Sequence, residues 1–359
     1  MRAAVCHEFG GQLVIEEVAI ADPGPTQVKV AIRAVAICHS DIHFSDGAWG
    51  GALPAVYGHE ASGTVIETGA QVTDLAVGDR VAVTLVNSCG TCRCCTKGFH
   101  ADCERPDYDG SPLSYPDGSF LHAAMKTGAF AEQVVVHHSQ VCKVGDDISF
   151  EVAALLACGG ITGFGAAVNT ADMRAGDDVA VIGCGGVGLN AIQGASIAGA
   201  GRLIAVDLAD DRLEAAKAFG ATHGVNGGKD PVAQVREITA GRGVDHVLVT
   251  VGVAPVIEQG LEMLANGGAV IIVGMPKMGD LASFEPLLLA DASHRIVGSH
   301  MGHCKIQDDI PWLCALYRNG RIKMDELITA RFPFERINDA IAATRRGEGI
   351  RNVVMVGEG

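Results

Sequence analysis

The chain has 359 residues, enough for two domains of the usual ~100–200 residues. Its 27 Lys and Arg against 42 Asp and Glu leave a net charge of −15, which repels phosphate backbones and anionic lipid and excludes general nucleic-acid or membrane-surface binding. Aromatic residues are 5% while apolar residues reach 48%, so the cores must be built from Val, Ile, Leu and Ala.

The first ten residues lack the apolar stretch of a secretion signal, which makes the cytoplasm the expected compartment. The twelve cysteines are then better read as metal-binding or catalytic than as disulfides. Up to about residue 150 the pattern is β-rich, with alternation in Gln27–Val35, Ser62–Glu67 and Val81–Leu85. Turns fall at Asp22–Pro25 and Val77–Arg80. The longest apolar run, Val152–Val168, is broken by Gly159, Gly160, Thr162, Gly163 and Gly165, and is read as buried core rather than a membrane span.

From Val179 the texture changes. The predicted elements are a strand at Val179–Ile182, a helix at Gly186–Ala198, a strand at Leu203–Val206 and a helix at Asp210–Phe219. A strand at Val244–Val251, a helix at Pro255–Leu264 and a strand at Ala269–Val273 continue the alternation. The fold class is therefore α/β, a doubly wound parallel sheet with helices on both faces, beside a β-rich domain. After Gly298, helices are expected at Ile310–Arg318 and Phe334–Thr344 and a strand at Arg351–Val356. This tail is too small to fold alone and should pack back on the N-terminal domain.

Three patterns carry chemistry. Gly183-Cys-Gly185-Gly186-Val187-Gly188 joins a strand to a helix as G-x-G-x-x-G. The first glycine makes the turn, the second lets backbone approach a pyrophosphate, and the third lets helix and strand pack closely. Asp207 ends the next strand, 19 residues after Gly188, where a carboxylate takes the ribose hydroxyls and repels a 2′-phosphate, favouring NAD over NADP. Arg212 follows within reach of the ribose edge or a phosphate.

The second pattern is Cys89-x2-Cys92-x2-Cys95-x7-Cys103, four thiols in one short loop, the arrangement of a closed structural zinc site, with Cys94 a bystander. The third is dispersed: Cys38-His39-Ser40-Asp41-Ile42-His43, then Gly58-His59-Glu60, then Cys158. Two thiolates and one imidazole leave a fourth zinc position open for catalysis. Spacing alone does not demonstrate this set, and buried cysteines with a core histidine account for it equally well.

These motifs together, with Gly78-Asp-Arg-Val81, Thr162 and Arg351, run nearly end to end. The chain resembles the zinc-dependent alcohol dehydrogenases of the medium-chain dehydrogenase/reductase family. The resemblance implies a GroES-like catalytic domain from 1–159 and 300–359, with the zinc loop at 89–103, and a Rossmann NAD-binding domain at 160–299. It implies two zinc ions per chain: a catalytic one on Cys38, His59 and Cys158 and a structural one on Cys89, Cys92, Cys95 and Cys103. Glu60 would stand behind the catalytic metal and Asp41 would orient His59. Ser40 would contact the alcohol oxygen and His43 would end a proton relay through the ribose. Thr162, Val187 and Val273 would lie along the nicotinamide, and Arg351 on the pyrophosphate. Trp49, Leu85 and Met275 would line a bulky apolar pocket.

The expected reaction is reversible oxidation of a medium-chain, aromatic or terpenoid primary alcohol to the aldehyde with hydride transfer to NAD. The expected assembly is a homodimer, with a homotetramer as the alternative. The stretches at Cys158–Gly163 and Ala166–Thr170 also look like the thiol-dependent formaldehyde dehydrogenases of the family. Two departures oppose that branch: Asp107 stands where it has a basic residue, though Arg105 is close, and the segment Cys103–Phe130 is shorter. A non-catalytic NAD- and zinc-binding protein is a remote third reading, opposed by the intact Cys38, Ser40, His43, His59 and Cys158. A zinc-free quinone or enoyl reductase is opposed by both cysteine sets.

Overall fold

The computed structural model describes residues 1–106 and 110–357. The chain divides into two compact units, Met1–Gly159 with Lys305–Gly359, and Gly160–Cys304.

The first unit is built on a sheet in the order Val141–Lys143, Arg80–Val83, Ala61–Thr68, Gln27–Ala36, Arg351–Met355 and Ile328–Pro333. The strand Gln133–His137 joins it on Gln27–Ala36, whose outer edge it shares with Arg351–Met355. The former pairs with Gln27–Ala31 and the latter with Ala34–Ala36, so the tail after residue 305 does return to this unit. Gln27–Ala36 is buried on both faces over much of its length, because its sheet is covered on each side. A smaller sheet follows the order Val14–Glu17, Arg2–Cys6, Ala55–Val56 and His122–Ala123. The core between them is aliphatic, with Val28, Val30, Val65, Val81 and Val134 fully or almost fully buried and Tyr57, Phe130 and Phe334 as its large anchors.

In the second unit six parallel strands lie in the order His223–Asn226, Leu203–Asp207, Val179–Ile182, Val244–Val249, Leu264–Ile272 and Arg295–Gly298. Numbered along the chain this is 3-2-1-4-5-6, the doubly wound order whose reversal point lies beside the first strand. The helix Gly186–Ala198 leaves from that point and stops at Gly199, which takes φ +89°, a left-handed conformation that costs glycine little. The predicted elements of this unit are present with small shifts. Four more were not anticipated: the strands His223–Asn226 and Arg295–Gly298 and the helices Pro231–Ile238 and Pro286–Asp291. Asp230 caps the helix Pro231–Ile238 by accepting from the Ala233 N–H at 3.1 Å.

The apolar run Phe150–Thr170 is long and apolar enough to cross a membrane, but 89% of its 18-residue apolar window is buried inside the protein, as a core helix would be. It is not a uniform α-helix. Leu156–Gly160 and Ala166–Thr170 have π geometry, a form that often marks functional sites. In the tail, the helix expected to start at Phe334 begins with a 3-10 turn, Phe334–Arg336, before the α-helix Ile337–Arg345.

Candidate active site and metal centres

In the first unit, Cys38 follows the strand Gln27–Ala36 and stands at the N-cap of the short helix His39–Ser45. Asp41, in the first turn, is 2% exposed and turns its carboxylate back on this junction. It accepts from the backbone N–H of Cys38 at 3.2 Å and of Gly58 at 2.9 Å, and from His59 Nδ1 at 3.0 Å. The bond to the carboxylate places a ring proton on Nδ1 and turns Nε2 into the cluster. That nitrogen faces Cys158 Sγ at 3.3 Å, close to the ~3.6 Å edge that zinc–sulfur and zinc–nitrogen bond lengths give for a tetrahedron. The ligand atoms of Cys38, His59 and Cys158 all lie within 4.8 Å of one another, and all three residues are buried.

Their proton affinities interlock. The hydrogen bond from Cys158, helped by His59, holds the Cys38 thiol well below its usual range against the opposing effect of burial. The same hydrogen bond and burial drive the Cys158 thiol well above its own. Burial alone would lower His59, but Asp41 and Cys38 outweigh it and raise the imidazole. Two soft thiols and an oriented imidazole sharing protons in a buried cluster are a donor set that fits zinc.

Glu60 lies behind this set, fully buried. Its Oε1 accepts from Gly159 N–H at 3.1 Å and its Oε2 is ion-paired with Arg351 Nη2. Burial pushes its carboxyl up to about 7, against the opposing pull of Arg351. Arg351, expected on a pyrophosphate, thus holds Glu60, while its buried Nε has no hydrogen-bond partner among the described residues. No local pattern announced a partner 291 residues away.

Ser40 Oγ is 3.7 Å from Cys38 Sγ. His43, one turn further along the same helix, lies with its ring 4.8 Å from that of Trp49, which meets Phe44 edge-on at 5.2 Å. Leu85 is half-buried just past the strand Arg80–Val83.

The second cysteine cluster gathers Cys89, Cys92, Cys95 and Cys103, again with all sulfurs within 4.8 Å. Cys92 and Cys103 are 3.9 Å apart, and a zinc–sulfur bond of 2.3 Å gives a tetrahedron edge of about 3.8 Å. Backbone N–H groups of Cys89, Cys92 and Cys95 donate to Cys103, Cys89 and Cys92 sulfurs at 3.2, 3.3 and 3.4 Å. Cys94 stays outside and turns to Glu104 at 3.7 Å. Asp107 lies outside the described residues.

In the second unit, Gly183 has φ +95°, and a Cβ there would meet Val251 at 2.5 Å. A Cβ on Gly188 would fall 1.7 Å from the Gly183 carbonyl oxygen, whereas one on Gly185 would meet nothing within 4 Å. The turn therefore needs its first and third glycines for its own shape, and the second leaves an open cradle at the helix start, which begins with Gly186. Asp207 Oδ2 accepts from Cys184 N–H at 2.7 Å and Oδ1 from Ala209 N–H at 3.0 Å, fixing the carboxylate beside that cradle. A turn of exposed N–H groups beside a fixed carboxylate fits a dinucleotide.

Arg212 is half-buried in the helix Asp210–Ala218. Thr162 is buried, with its hydroxyl 3.7 Å from Met301 Sδ. Val187 is half-buried on the helix that packs against Gly163, and Val273 is buried at the end of its strand. Met275 is 49% exposed.

Two family models match. One described as an alcohol dehydrogenase GroES-like domain covers residues 24–146, and one described as a zinc-binding dehydrogenase covers 186–319. A protein of Mycobacterium tuberculosis named putative alcohol dehydrogenase D is 36% identical, over 98% of this chain and 99% of its own. The NDMA-dependent alcohol dehydrogenase of Amycolatopsis methanolica is 35% identical, over 99% and 98%. Among solved structures, benzyl alcohol dehydrogenase from Acinetobacter calcoaceticus superposes with a TM-score of 0.92 at 32% identity, covering 99% of each chain. The chain belongs to the zinc-binding, GroES-like alcohol dehydrogenases of the medium-chain dehydrogenase/reductase family. It is an enzyme, an oxidoreductase of the alcohol dehydrogenase type.

Proposed function

We propose that this enzyme oxidises a primary alcohol of the medium-chain, aromatic or terpenoid class to its aldehyde, reversibly, with NAD as hydride acceptor and two zinc ions per chain. The observation that carries the reading is the buried Cys38–His59–Cys158 cluster, three convergent donors with the imidazole oriented by Asp41. Zinc bound there supplies Lewis-acid polarisation of the alcohol oxygen, and NAD supplies the redox chemistry. Ser40, beside Cys38, would take the alcohol proton, and His43, one turn further along the same helix, would pass it towards solvent. Gly183, Gly185, Gly186 and Gly188 hold the pyrophosphate, with Arg351 as its cationic partner. Asp207, aided by Arg212, takes the adenosine ribose and turns away a 2′-phosphate. Thr162, Val187 and Val273 set the nicotinamide.

Trp49, tilted against His43 and edge-on to Phe44, gives the first unit an aromatic wall for a bulky substrate, with Leu85 as a second apolar lining residue, and Met275 keeps a substrate-lining role in the second unit. The second cluster is the structural zinc lobe. Seven of the cysteines gather in the two metal-type clusters, and no disulfide joins any cysteine among the described residues, which supports a reducing compartment, the cytoplasm.

The functional unit is proposed to be a homodimer. The strand Arg295–Gly298 is an outer strand of its sheet, and the helix Pro286–Asp291 has no buried residue. Met278, Leu281, Leu287 and Leu288 are more than half exposed in the same stretch of chain, the kind of apolar concentration that marks an interface. Light scattering should give two chains per particle.

The deciding assay follows NADH formation on benzyl alcohol, hexanol, a terpenol, ethanol, and formaldehyde with and without glutathione, with NDMA tried beside NAD. Turnover of the bulky alcohols without thiol is expected. Activity confined to formaldehyde plus thiol overturns the substrate class in favour of the thiol-dependent branch.

A further inference from the structure

From the contacts beneath the glycine turn we infer that Thr250 is a positioning residue for cofactor choice: its hydroxyl holds the Gly183–Cys184 peptide, and through that peptide it fixes the Asp207 carboxylate that separates NAD from NADP. This rests on reading the turn and Asp207 as the NAD site.

The strand Val179–Ile182 runs between Leu203–Asp207 and Val244–Val249. Each neighbour sends one side chain to the turn in which the middle strand ends. Asp207, the last residue of one, accepts from the Cys184 N–H at 2.7 Å. Thr250, the first residue past the other, shares its hydroxyl proton between the carbonyl oxygens of Ile182 and Gly183, at 3.0 and 2.9 Å. The Gly183 carbonyl and the Cys184 N–H belong to one planar trans peptide and point in opposite directions. A single rigid plate is therefore held at both ends, once from each flanking strand.

The hydroxyl sits close under the turn. A Cβ on Gly183 would lie 2.9 Å from Thr250 Oγ1, and one on Gly188 would lie 3.0 Å from it. The first and third glycines thus make room for this side chain as well as for the turn itself.

Without the hydroxyl, only the Asp207 end of the plate is tied. Gly183, at φ +95°, has no side chain to resist rotation of the peptide that follows it. Rotation withdraws the Cys184 N–H from Asp207 Oδ2. The carboxylate then keeps only the Ala209 N–H, 3.0 Å from Oδ1, and is free to swing. A fixed carboxylate meets the ribose hydroxyls and repels a 2′-phosphate, whereas a swinging one binds the hydroxyls less well and yields to the phosphate. Thr250 therefore acts on selectivity without touching the ribose.

The test titrates the full-length protein with NADH and with NADPH, follows nucleotide fluorescence, and takes the ratio of the two dissociation constants. The wild type should favour NADH. Thr250→Val keeps the side-chain shape and removes the donor, and the preference should narrow about 3–10-fold, the net worth of one hydrogen bond. Thr250→Ser keeps the hydroxyl and should restore the wild-type ratio. In an Asp207→Ala background, adding Thr250→Val should leave the ratio where it is, because the carboxylate through which the hydroxyl acts is gone.

Far-ultraviolet circular dichroism of each variant separates these effects from misfolding, and Thr250→Ala carries the test if Thr250→Val does not fold. A folded hydroxyl-free variant with an unchanged ratio, including one that loses NADH and NADPH affinity equally, overturns the inference and leaves Thr250 a purely structural tie. Narrowing of the same size in the Asp207→Ala background overturns the route through Asp207. Wild-type protein that binds neither nucleotide, or prefers NADPH, overturns the NAD-site reading instead.

Discussion

The glycine turn after Val179–Ile182 offers a paired experiment in which two similar substitutions should fail differently. In Gly188→Ala the new methyl carbon would sit 1.7 Å from the Gly183 carbonyl oxygen and 3.0 Å from Thr250 Oγ1. The nearer obstacle is backbone, so the strand-to-helix junction must open by more than an ångström, at a cost of about 1–3 kcal/mol or more. For a unit of this size each kcal/mol shifts Tm by roughly 2–4 °C, so the loss should be about 2–12 °C or more. Gly185→Ala meets no atom within 4 Å, and at φ −79° and ψ −169° its backbone suits any residue. Its Tm should fall by no more than about 4 °C, since changing a cap residue from Gly to Ala costs a few tenths of a kcal/mol to about 1.

Binding should reverse the order of interest. The Gly185 methyl group would occupy the space through which backbone N–H groups reach the pyrophosphate, and NADH affinity should fall at least about tenfold, or ~1.4 kcal/mol. Calorimetry gives the Tm values and NADH fluorescence titration the affinities. Gly185→Ala protein that is stable and binds NADH like the wild type would refute the assignment of this cradle to the cofactor. Gly188→Ala protein as stable as the wild type would refute the steric argument.

The remaining predictions are smaller. Cys95→Ser should lose about one zinc per chain by elemental analysis and lower the Tm, whereas Cys94→Ser should change neither, because Cys94 points to Glu104. Asp41→Asn removes the acceptor that fixes the His59 tautomer, and chelator competition should show metal at the open site held about 10–100-fold more weakly. A pH effect is expected at Asp245. Burial raises its carboxyl, but hydrogen bonds from Arg242 and the Asp178 N–H reverse this and hold it below the usual range. The unfolded chain then binds more protons in acid, so this stabilisation is present at neutral pH and is lost as the pH falls below about 4. Asp245→Asn should accordingly cost about 1 kcal/mol in urea unfolding at pH 7 and much less at pH 3, given how exposed Arg242 is. An equal cost at both pH values would defeat that account.

The second unit was legible because parallel strands buried on both faces read as apolar runs, and the glycine turn and Asp207 fall at fixed offsets from them. Its unread strands carry no buried apolar run: His223–Asn226 has only one fully buried residue, Val225, and Arg295–Gly298 has none. The helix Pro231–Ile238 did carry a signal, Asp230 followed by Pro231, the cap and first-turn pair that opens helices. In the first unit Ala55–Val56 and His122–Ala123 are two residues long, too short for any period. Ile328–Pro333 alternates half-buried and exposed residues along its whole length, yet its polar and charged members and closing proline hid it.

Within the site, the four-cysteine loop announced itself because its ligands share 15 residues. The dispersed set did not, since Cys38, His59 and Cys158 meet only through the fold, and resemblance had to supply what spacing lacked. The Glu60–Arg351 pair was beyond both, because sequence assigns a charge but not its partner.

The shared edge of Gln27–Ala36 has a consequence for how the chain is made. Gln133–His137 covers one half of that edge, but Ala34–Ala36 waits for Val353–Met355. Residue 351 follows residue 36 by 315 positions, which at ~5–20 residues per second is about 15–60 s of synthesis. For that interval the nascent chain shows unpaired backbone just before Cys38, and Glu60 has no guanidinium to hold it. A ribosome-bound fragment ending before Arg351 should therefore expose an adhesive half-strand that chaperones shield, and the open metal site should reach its finished form only after the closing strand has been laid in place.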